Sequence, residues 1–263
     1  MRGHAGEATH VAVLRTQAAP WSAGGRPGLL RRRRPRPVAP SAPPAPAPTA
    51  RATLIRARPF DDTDQAERWL QAVDTEAEVA AALAVLNRVL HLHRTATADP
   101  AIREVARGQA IAARVGIGAG EEVADGRFAR ALELPPPPRP RRRGAAPGPE
   151  ERLAALLAGR DVPLASEELA LRARGDLAAG REREAALQLR VALAAALGEL
   201  APWAPRGDLA ARLDELRDLR RGVEAAAETA LQGGLDDSAR AAVHHALERL
   251  EAALRARTAL GFD

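Results

Sequence analysis

Three glycines in the stretch IAARVGIGAGEEVADGRF, at Gly116, Gly118 and Gly120, have the alternating spacing of a phosphate-binding loop. In a dinucleotide-binding loop such glycines let the backbone approach a pyrophosphate, but the pattern requires a further glycine where this chain has Glu121. The acidic residue that should follow about 20 positions later is replaced by a run of prolines. A Walker-type loop requires a lysine, and the chain has none. We therefore predict that this stretch binds no nucleotide.

Histidine is the side chain best suited to proton transfer near neutral pH, and the chain contains six. His91 and His93 lie two positions apart and would point to different faces of a helix, and the adjacent pair His244 and His245 has the same defect. The remaining two lie in the N-terminal arm. Unless one ring from each pair meets in the fold, these spacings match no known metal site, and we predict none.

Three pairs of adjacent carboxylates occur along the chain: Glu121 and Glu122, Glu167 and Glu168, and Asp236 and Asp237. Each stands at a predicted helix start, where the helix dipole stabilises negative charge. The absence of cysteine excludes disulfides, Fe–S clusters and a thiol nucleophile. No serine nucleophile motif is present either, and Ser166 is an N-cap candidate. We predict no catalytic residue, no cofactor-binding residue and no metal ligand.

Arginine supplies all 39 basic residues, and lysine and tyrosine are absent. This usage resembles that of helical proteins from high-GC bacterial genomes, so the arginine content reflects codon bias and carries no function by itself. Residues 1–50 contain 8 arginines against one acidic residue, and residues 135–149 contain 4 against none. The rest of the chain is slightly acidic, which argues against a folded nucleic-acid-binding face.

The N-terminal 52 residues are predicted to form a disordered, basic, Pro-rich arm. Residues 1–50 contain nine of the 21 prolines and the run RRRRPRP, and such a composition buries too little apolar surface to offset chain entropy. The role of the arm stays open. It is an inert tail, sequence upstream of the true start codon, or an arm that contacts nucleic acid or acidic partners.

Residues 53–134 are predicted to form an N-terminal helical domain. It opens with TLIRARPF, a short strand or an extended lead-in, and the acidic run at 61–64 supplies N-cap candidates for a first helix. Thr75 and Glu78 have the spacing of a capping box and predict the start of a second helix. The apolar face of that helix comprises Val79, Leu83, Leu86 and Leu90.

A third helix is predicted to start at Asp99 and Pro100, with proline at its first position. Small residues recur every four positions along it and would form one ridge that lets another helix approach closely. They are Gly108, Ala112, Gly116, Gly120 and Ala124. Each glycine lowers helix stability by about 1 kcal/mol relative to alanine, so we expect a break near Gly118.

The segment PPPPRPRRRGAAPGP, residues 135–149, has the composition of a polyproline-II spacer with a charged end. A semi-rigid linker is the favoured interpretation over a ligand for a proline-recognising domain. The segment predicts a boundary between the N-terminal domain and a C-terminal helical domain over residues 150–263.

The C-terminal domain opens with a short helix, EERLAALLAGRDVP, followed by small residues at intervals of 7, 5 and 7 positions. These are Ala173, Gly180, Ala185 and Ala192. Together with Leu169, they resemble a single tetratricopeptide-like helix pair over about residues 166–199, although the aromatic positions and the proline of that repeat are missing. An imperfect echo, VADGRFARAL against LAAGREREAA, occurs at residues 123–132. The resemblance implies a protein-interaction module.

The last segment predicts a long antiparallel helical hairpin. Asp208 is the predicted cap of the first helix, the glycines at 233 and 234 make the turn, and Asp236 or Asp237 caps the second helix. The two apolar faces are Leu209, Leu213, Leu216, Val223 and Ala227 on the first helix, and Val243, Leu247, Leu250 and Leu254 on the second.

These patterns predict an all-α protein of helical hairpins or a bundle, with a disordered Pro/Arg-rich arm and linker. No run approaches the roughly 18 apolar residues of a membrane helix, and no signal peptide is evident, so we expect a cytoplasmic protein without membrane contact. The leading functional hypothesis is a non-catalytic interaction or scaffold protein that binds a protein partner or itself. The alternative is a nucleic-acid-associated protein acting through its Arg/Pro-rich disordered segments. A helical enzyme with an unrecognised site is the third class.

Overall fold

The computed structural model describes residues 9–17, 49–56, 59–135 and 148–261. The chain divides into two compact units, Met1–Pro138 and Arg139–Asp263, and the division falls within the predicted linker. Most of the predicted arm and most of the predicted linker lie outside the described residues.

The described residues are predominantly helical, which confirms the predicted fold class. The α-helices are α1 (Thr63–Ala72), α2 (Thr75–Thr97), α3 (Gly120–Ala124), α4 (Pro149–Leu157), α5 (Ala165–Ala178), α6 (Glu182–Glu199), α7 (Leu209–Gln232) and α8 (Asp237–Ala259). Four short strands accompany them: β1 (His10–Gln17), β2 (Thr49–Arg56), β3 (Ala113–Ile117) and β4 (Arg130–Leu134). Single turns of 3-10 helix lie at Arg107–Gln109 and Ala201–Trp203.

In the first unit, α1 and α2 both begin at aspartate caps. The side chains of Asp62 and Asp74 each accept a hydrogen bond from the backbone N–H three positions later, at 2.6 and 3.1 Å. Asp62 lies in the acidic run predicted to cap α1. The capping box predicted at Thr75 is wrong by one position, because the extended backbone of Asp74 already places a carboxylate at the free N–H groups, and Thr75 becomes the first helical residue.

The third helix predicted to start at Asp99 and Pro100 is wrong up to residue 119, and only the short stretch after the expected break, Gly120–Ala124, is α-helical. α2 is closed by Ala98, whose backbone is left-handed with φ 53°. The side-chain amide of Asn87 then binds the N–H and the C=O of Val105, at 2.9 and 3.0 Å. These contacts hold the following segment out of a helical path, and they join positions too far apart in sequence for local periodicity to reveal.

The predicted ladder of small residues does not form one helical ridge, and its central member, Gly116, lies in an antiparallel strand pair instead. β3 pairs with β4 so that Gly116 lies opposite Ala131. A Cβ atom at Gly116 would lie 2.6 Å from the carbonyl oxygen of Arg130, so the neighbouring strand leaves room for glycine alone. The β-branched residues Val115 and Ile117 flank this position and favour a strand. The small size of Gly116 allows two elements to approach closely, as predicted, but these elements are strands rather than helices.

β1 and β2 form the other antiparallel pair of this unit, with His10 opposite Arg56. Residues 10–17 carry no local signal of a strand, because the partner strand lies much later in the chain. Thr53 of β2 is buried. This pair occupies the two described stretches of the predicted arm.

The second unit is built on a bundle of four helices, α5 to α8. Short connections make consecutive helices antiparallel neighbours, and α5 also packs against α8 to close the bundle. The predicted hairpin of α7 and α8 is confirmed, with Gly233 at its turn (φ 148°) and the Asp236 side chain accepting from the N–H of Ala239 at 2.7 Å. Asp208 occupies the N-cap position of α7 as predicted, but its carboxylate accepts no backbone N–H there and pairs with Arg212 at 2.6 Å instead.

Leucine and alanine make up the core of this bundle, and the alanines let the helices approach closely. The largest fully buried side chains are Leu189, Leu193, Leu200, Leu209, Leu213, Leu216, Leu247, Leu250, Val223 and Val243. Charged side chains are buried only near the two ends of the described bundle, with Asp161 and Arg257 at one end and Asp176 at the other. The middle of the bundle is therefore apolar, and polar chemistry is confined to its ends and its outer surface.

Candidate functional site

The glycine-rich stretch does not form a phosphate cradle. It leads from β3 into α3, a helix of only five residues. A Cβ atom at Gly118 would lie 2.8 Å from Cγ2 of Val123, so this glycine serves the packing of the turn. Gly120 follows with φ 48°, a left-handed backbone that favours glycine. Packing and turn geometry therefore account for the alternating spacing of the three glycines.

Within each unit, the described histidines form no cluster that could hold a metal ion. His91 lies 3.3 Å from a guanidinium nitrogen of Arg94 within α2, and His93 is exposed. His244 and His245 are both exposed on α8. Within the described ranges, no group of three or more histidine, cysteine, aspartate or glutamate side chains could hold a metal ion.

A network of four charged side chains lies at the end of the bundle where α4 meets α5 and α8. Arg257 donates to the Asp161 carboxylate at 2.5 Å, and Arg152 donates to the same carboxylate at 3.2 Å. Arg152 also contacts both carboxylate oxygens of Glu167, at 2.5 and 2.7 Å. The side chains of Asp161 and Arg257 are only 1% and 5% exposed, so each charge depends on its partner. The network fastens α4 to the bundle.

Trp203 completes this end of the bundle. The guanidinium carbon of Arg257 lies 4.9 Å from the centre of the Trp203 ring, and that of Arg206 lies at 5.1 Å. Burial would raise the pKa of Asp161, but the hydrogen bonds from Arg257 and from the N–H of Val162 outweigh burial and hold this pKa below its ordinary value. A carboxylate held ionised in this way is a structural anchor and is unsuited to proton transfer near neutral pH.

Glu199, at the end of α6, caps the start of α5. Its two carboxylate oxygens accept hydrogen bonds from the backbone N–H groups of Ala165 and Ser166, at 2.9 and 3.0 Å. Burial would raise the pKa of Glu199, but the hydrogen bonds from Ser166 and Ala165 hold it below its ordinary value. Ser166 is not the N-cap that the sequence predicted, because Leu164 occupies that position and a glutamate from the neighbouring helix binds the free N–H groups.

A groove with a volume of about 540 Å³ lies on the outer surface between α6 and α7. Its lining residues are Arg190, Val191, Ala194, Arg220, Glu224 and Glu228. Val191 is 50% exposed and forms an apolar floor with the alanine one turn later. Arg190 pairs with Glu228 across the two helices at 3.2 Å, and Arg220 pairs with Glu224 at 2.7 Å. An exposed valine therefore lies beside two ion pairs at this surface.

Sequence reasoning missed both the charged network and the groove. Asp161 and Arg257 are distant in sequence, and nothing local to either one signals the other. Arg220 forms an exposed ion pair, and its place beside Val191 depends on how two helices pack. The exposed position of Val191, in an otherwise apolar run, follows from helical phase once the bounds of α6 are known.

No protein-family profile, no curated protein and no solved structure matches the chain. Among the described residues, no helix combines the length and the apolar character needed to cross a membrane.

Proposed function

We propose that the protein is a non-catalytic protein-interaction module whose second unit binds a partner through the groove between α6 and α7. The observation that carries this proposal is Val191, half exposed between the Arg190–Glu228 and Arg220–Glu224 ion pairs. Core packing would explain a buried valine, and solubility would explain a surface that carries only charged residues. An apolar floor with charged rims combines the parts of a small binding interface.

The partner that this groove fits is an amphipathic helix. A groove between two antiparallel helices accepts a third helix along its length, with small apolar side chains over Val191 and the neighbouring alanine. The α6 side of the groove carries Arg190, and the α7 side carries Arg220 and two glutamates, so the partner would present charges of both signs. Since these rim charges are exposed, they set orientation and specificity more than affinity.

The resemblance of residues 166–199 to a single tetratricopeptide-like helix pair is a second argument for this proposal. The predicted small positions Ala173, Ala185 and Ala192 are fully buried between helices, and Gly180 has φ 70° in the turn between α5 and α6. We propose that α5 and α6 act as such a helix pair, with α6 supplying the Val191 side of the groove. We also propose that the protein acts in the cytoplasm, as the sequence predicts.

The test is affinity capture of the tagged full-length chain from its native cells, with and without nuclease. We expect one protein to be captured by the native chain and lost with Val191→Glu. The matched control is Leu171→Glu, an apolar residue of α5 that is 66% exposed and does not line the groove. It should capture the same protein.

Equal capture by Val191→Glu would exclude the groove as the binding site. Capture that disappears on nuclease treatment would instead support the nucleic-acid alternative through the Arg/Pro-rich segments. Capture of nothing by the native chain would contradict the interaction proposal itself.

A further inference from the structure

Two arginines lie directly opposite each other in the strand pair of β1 and β2. Arg15 of β1 is in register with Arg51 of β2. Because side chains alternate along a strand, both arginines lie on the same face of the pair as the buried Thr53. Like charges directly opposite each other destabilise an antiparallel pair. The strand pair by itself therefore does not account for these two arginines.

The turn between α3 and β4 adds a third arginine and one carboxylate. Asp125 contacts Arg15 at 2.5 Å and Arg127 at 3.5 Å, through different carboxylate oxygens. Among the described residues, no other carboxylate forms an ion pair with Arg15, Arg51 or Arg127. Three guanidinium groups thus share one carboxylate, and the cluster has an excess of positive charge.

Arg51 is the arginine of this cluster that the carboxylate does not pair. A Cβ atom at Gly126 would lie 2.9 Å from the guanidinium carbon of Arg51, so glycine lets the guanidinium group pack directly against the turn. The Nε atom of Arg51 is buried and has no hydrogen-bond partner among the described residues. A buried donor without a partner costs free energy, and a bound acceptor would remove that cost.

We propose that Arg15, Arg51 and Arg127 bind a phosphate group. The planar fork of a guanidinium group matches the oxygen atoms of phosphate. A phosphate monoester carries about −1.5 to −2 charges near pH 7 and therefore balances the excess charge of the cluster. The side chains of Arg15 and Arg127 are 55% and 69% exposed, so a dissolved anion reaches them. The site lies in the first unit and does not depend on the groove proposed in the second.

The experiment is isothermal titration calorimetry of the full-length chain with inorganic phosphate, at about pH 7.5 and constant ionic strength. We expect saturable binding. Arg51→Gln should weaken it at least ten-fold, because it removes the guanidinium group that has no carboxylate partner. The matched control is Arg114→Gln, which removes an exposed arginine of the same unit that pairs with Glu133 at 2.7 Å. Its affinity for phosphate should equal that of the native chain.

Removal of the carboxylate tests the same site in the opposite direction. Asp125→Asn frees Arg15 and Arg127 from their ion pairs and should tighten phosphate binding at least three-fold. The matched control is Glu133→Gln, which removes one negative charge from the same unit outside the cluster and should leave the affinity unchanged. Because the expected change is tighter binding, a loss of folding cannot produce it.

Phenyl phosphate distinguishes two sources of the phosphate group. If it binds at least as tightly as inorganic phosphate, the site accepts the monoester of a small organic molecule. If it binds more weakly, the site is specific for the free ion. Either result supports the phosphate site, provided that Arg51→Gln weakens the binding of both compounds.

Three results would overturn the proposal: no saturable binding of phosphate by the native chain, equal effects of Arg51→Gln and Arg114→Gln, or an Asp125→Asn variant that binds no more tightly than Glu133→Gln. None of these results would affect the proposed groove, because all four substitutions lie in the first unit. Conversely, loss of partner capture by Val191→Glu would leave the phosphate site unaffected.

Discussion

At the scale of single residues, the second unit depends on a few charges placed where water cannot reach them. Asp161 is the clearest case, because its carboxylate binds both Arg257 and Arg152. The side chains of Asp161 and Arg257 are almost completely excluded from solvent. The exposed ion pairs along the helices contribute much less, since solvent screens them. The burial of an ion pair, rather than the mere presence of opposite charges, therefore determines how much the folded state depends on it.

Replacing Asp161 with asparagine should therefore lower the free energy of unfolding by about 3–5 kcal/mol, since it leaves the Arg257 charge buried and uncompensated. The measurement is urea denaturation followed by circular dichroism. The control is Asp214→Asn, because the Asp214 side chain is 73% exposed in its pair with Arg217, and its loss should cost less than about 1 kcal/mol. Equal effects from both substitutions would contradict a buried anchor.

Glu199 should make the stability of the protein fall in acid. Its pKa is lower in the folded protein than in the unfolded chain, where it has its ordinary value of about 4.3. The stabilisation is fully present above the unfolded pKa and is lost as the pH falls through the folded pKa. Between about pH 5 and pH 3, the unfolding free energy should thus fall more steeply for the native protein than for Glu199→Gln. Parallel curves would show that the carboxylate does not stabilise α5.

At the scale of elements, the sequence predicted correctly the helices whose signals lie within the helix itself. The sequence-based prediction failed where contacts with residues distant in sequence determine the secondary structure. The hairpin of α7 and α8 was predictable because its glycine turn, the Asp236 cap and the leucine spacing all lie within the two helices. The segment around Gly116 shares the small-residue spacing of a helix, but Asn87 and the pairing of β3 with β4 make it extended. The groove was not predictable, because it exists only between two packed helices.

Gly116→Ala distinguishes the strand pair from the helix that the spacing suggested. In the strand pair the new Cβ atom would lie 2.6 Å from the carbonyl oxygen of Arg130, so the first unit should lose about 1–3 kcal/mol of stability. Gly108→Ala is the control, because its Cβ atom would meet nothing within 4 Å. In a helix both substitutions would stabilise by up to about 1 kcal/mol, and that result, measured by thermal denaturation, would contradict the strands.

At the scale of the whole molecule, the described part of the second unit combines an apolar bundle with two distinct outer surfaces. Pairs between helices, such as Arg190–Glu228 and Arg249–Glu215, bind neighbouring helices and help select one arrangement among the alternatives open to an alanine- and leucine-rich core. The groove at Val191 and the two exposed leucines of α4 remain apolar and accessible. The interaction proposal rests on the groove at Val191.

The most direct test of the interaction proposal places a photo-crosslinking amino acid at Val191 of the full-length chain in its native cells. We expect one crosslinked protein partner from this position and none from the same amino acid at Leu171, which is exposed but lies outside the groove. The crosslinked segment of the partner should be an amphipathic helix. Identical crosslinks from both positions, or none from Val191, would contradict the groove as the binding surface.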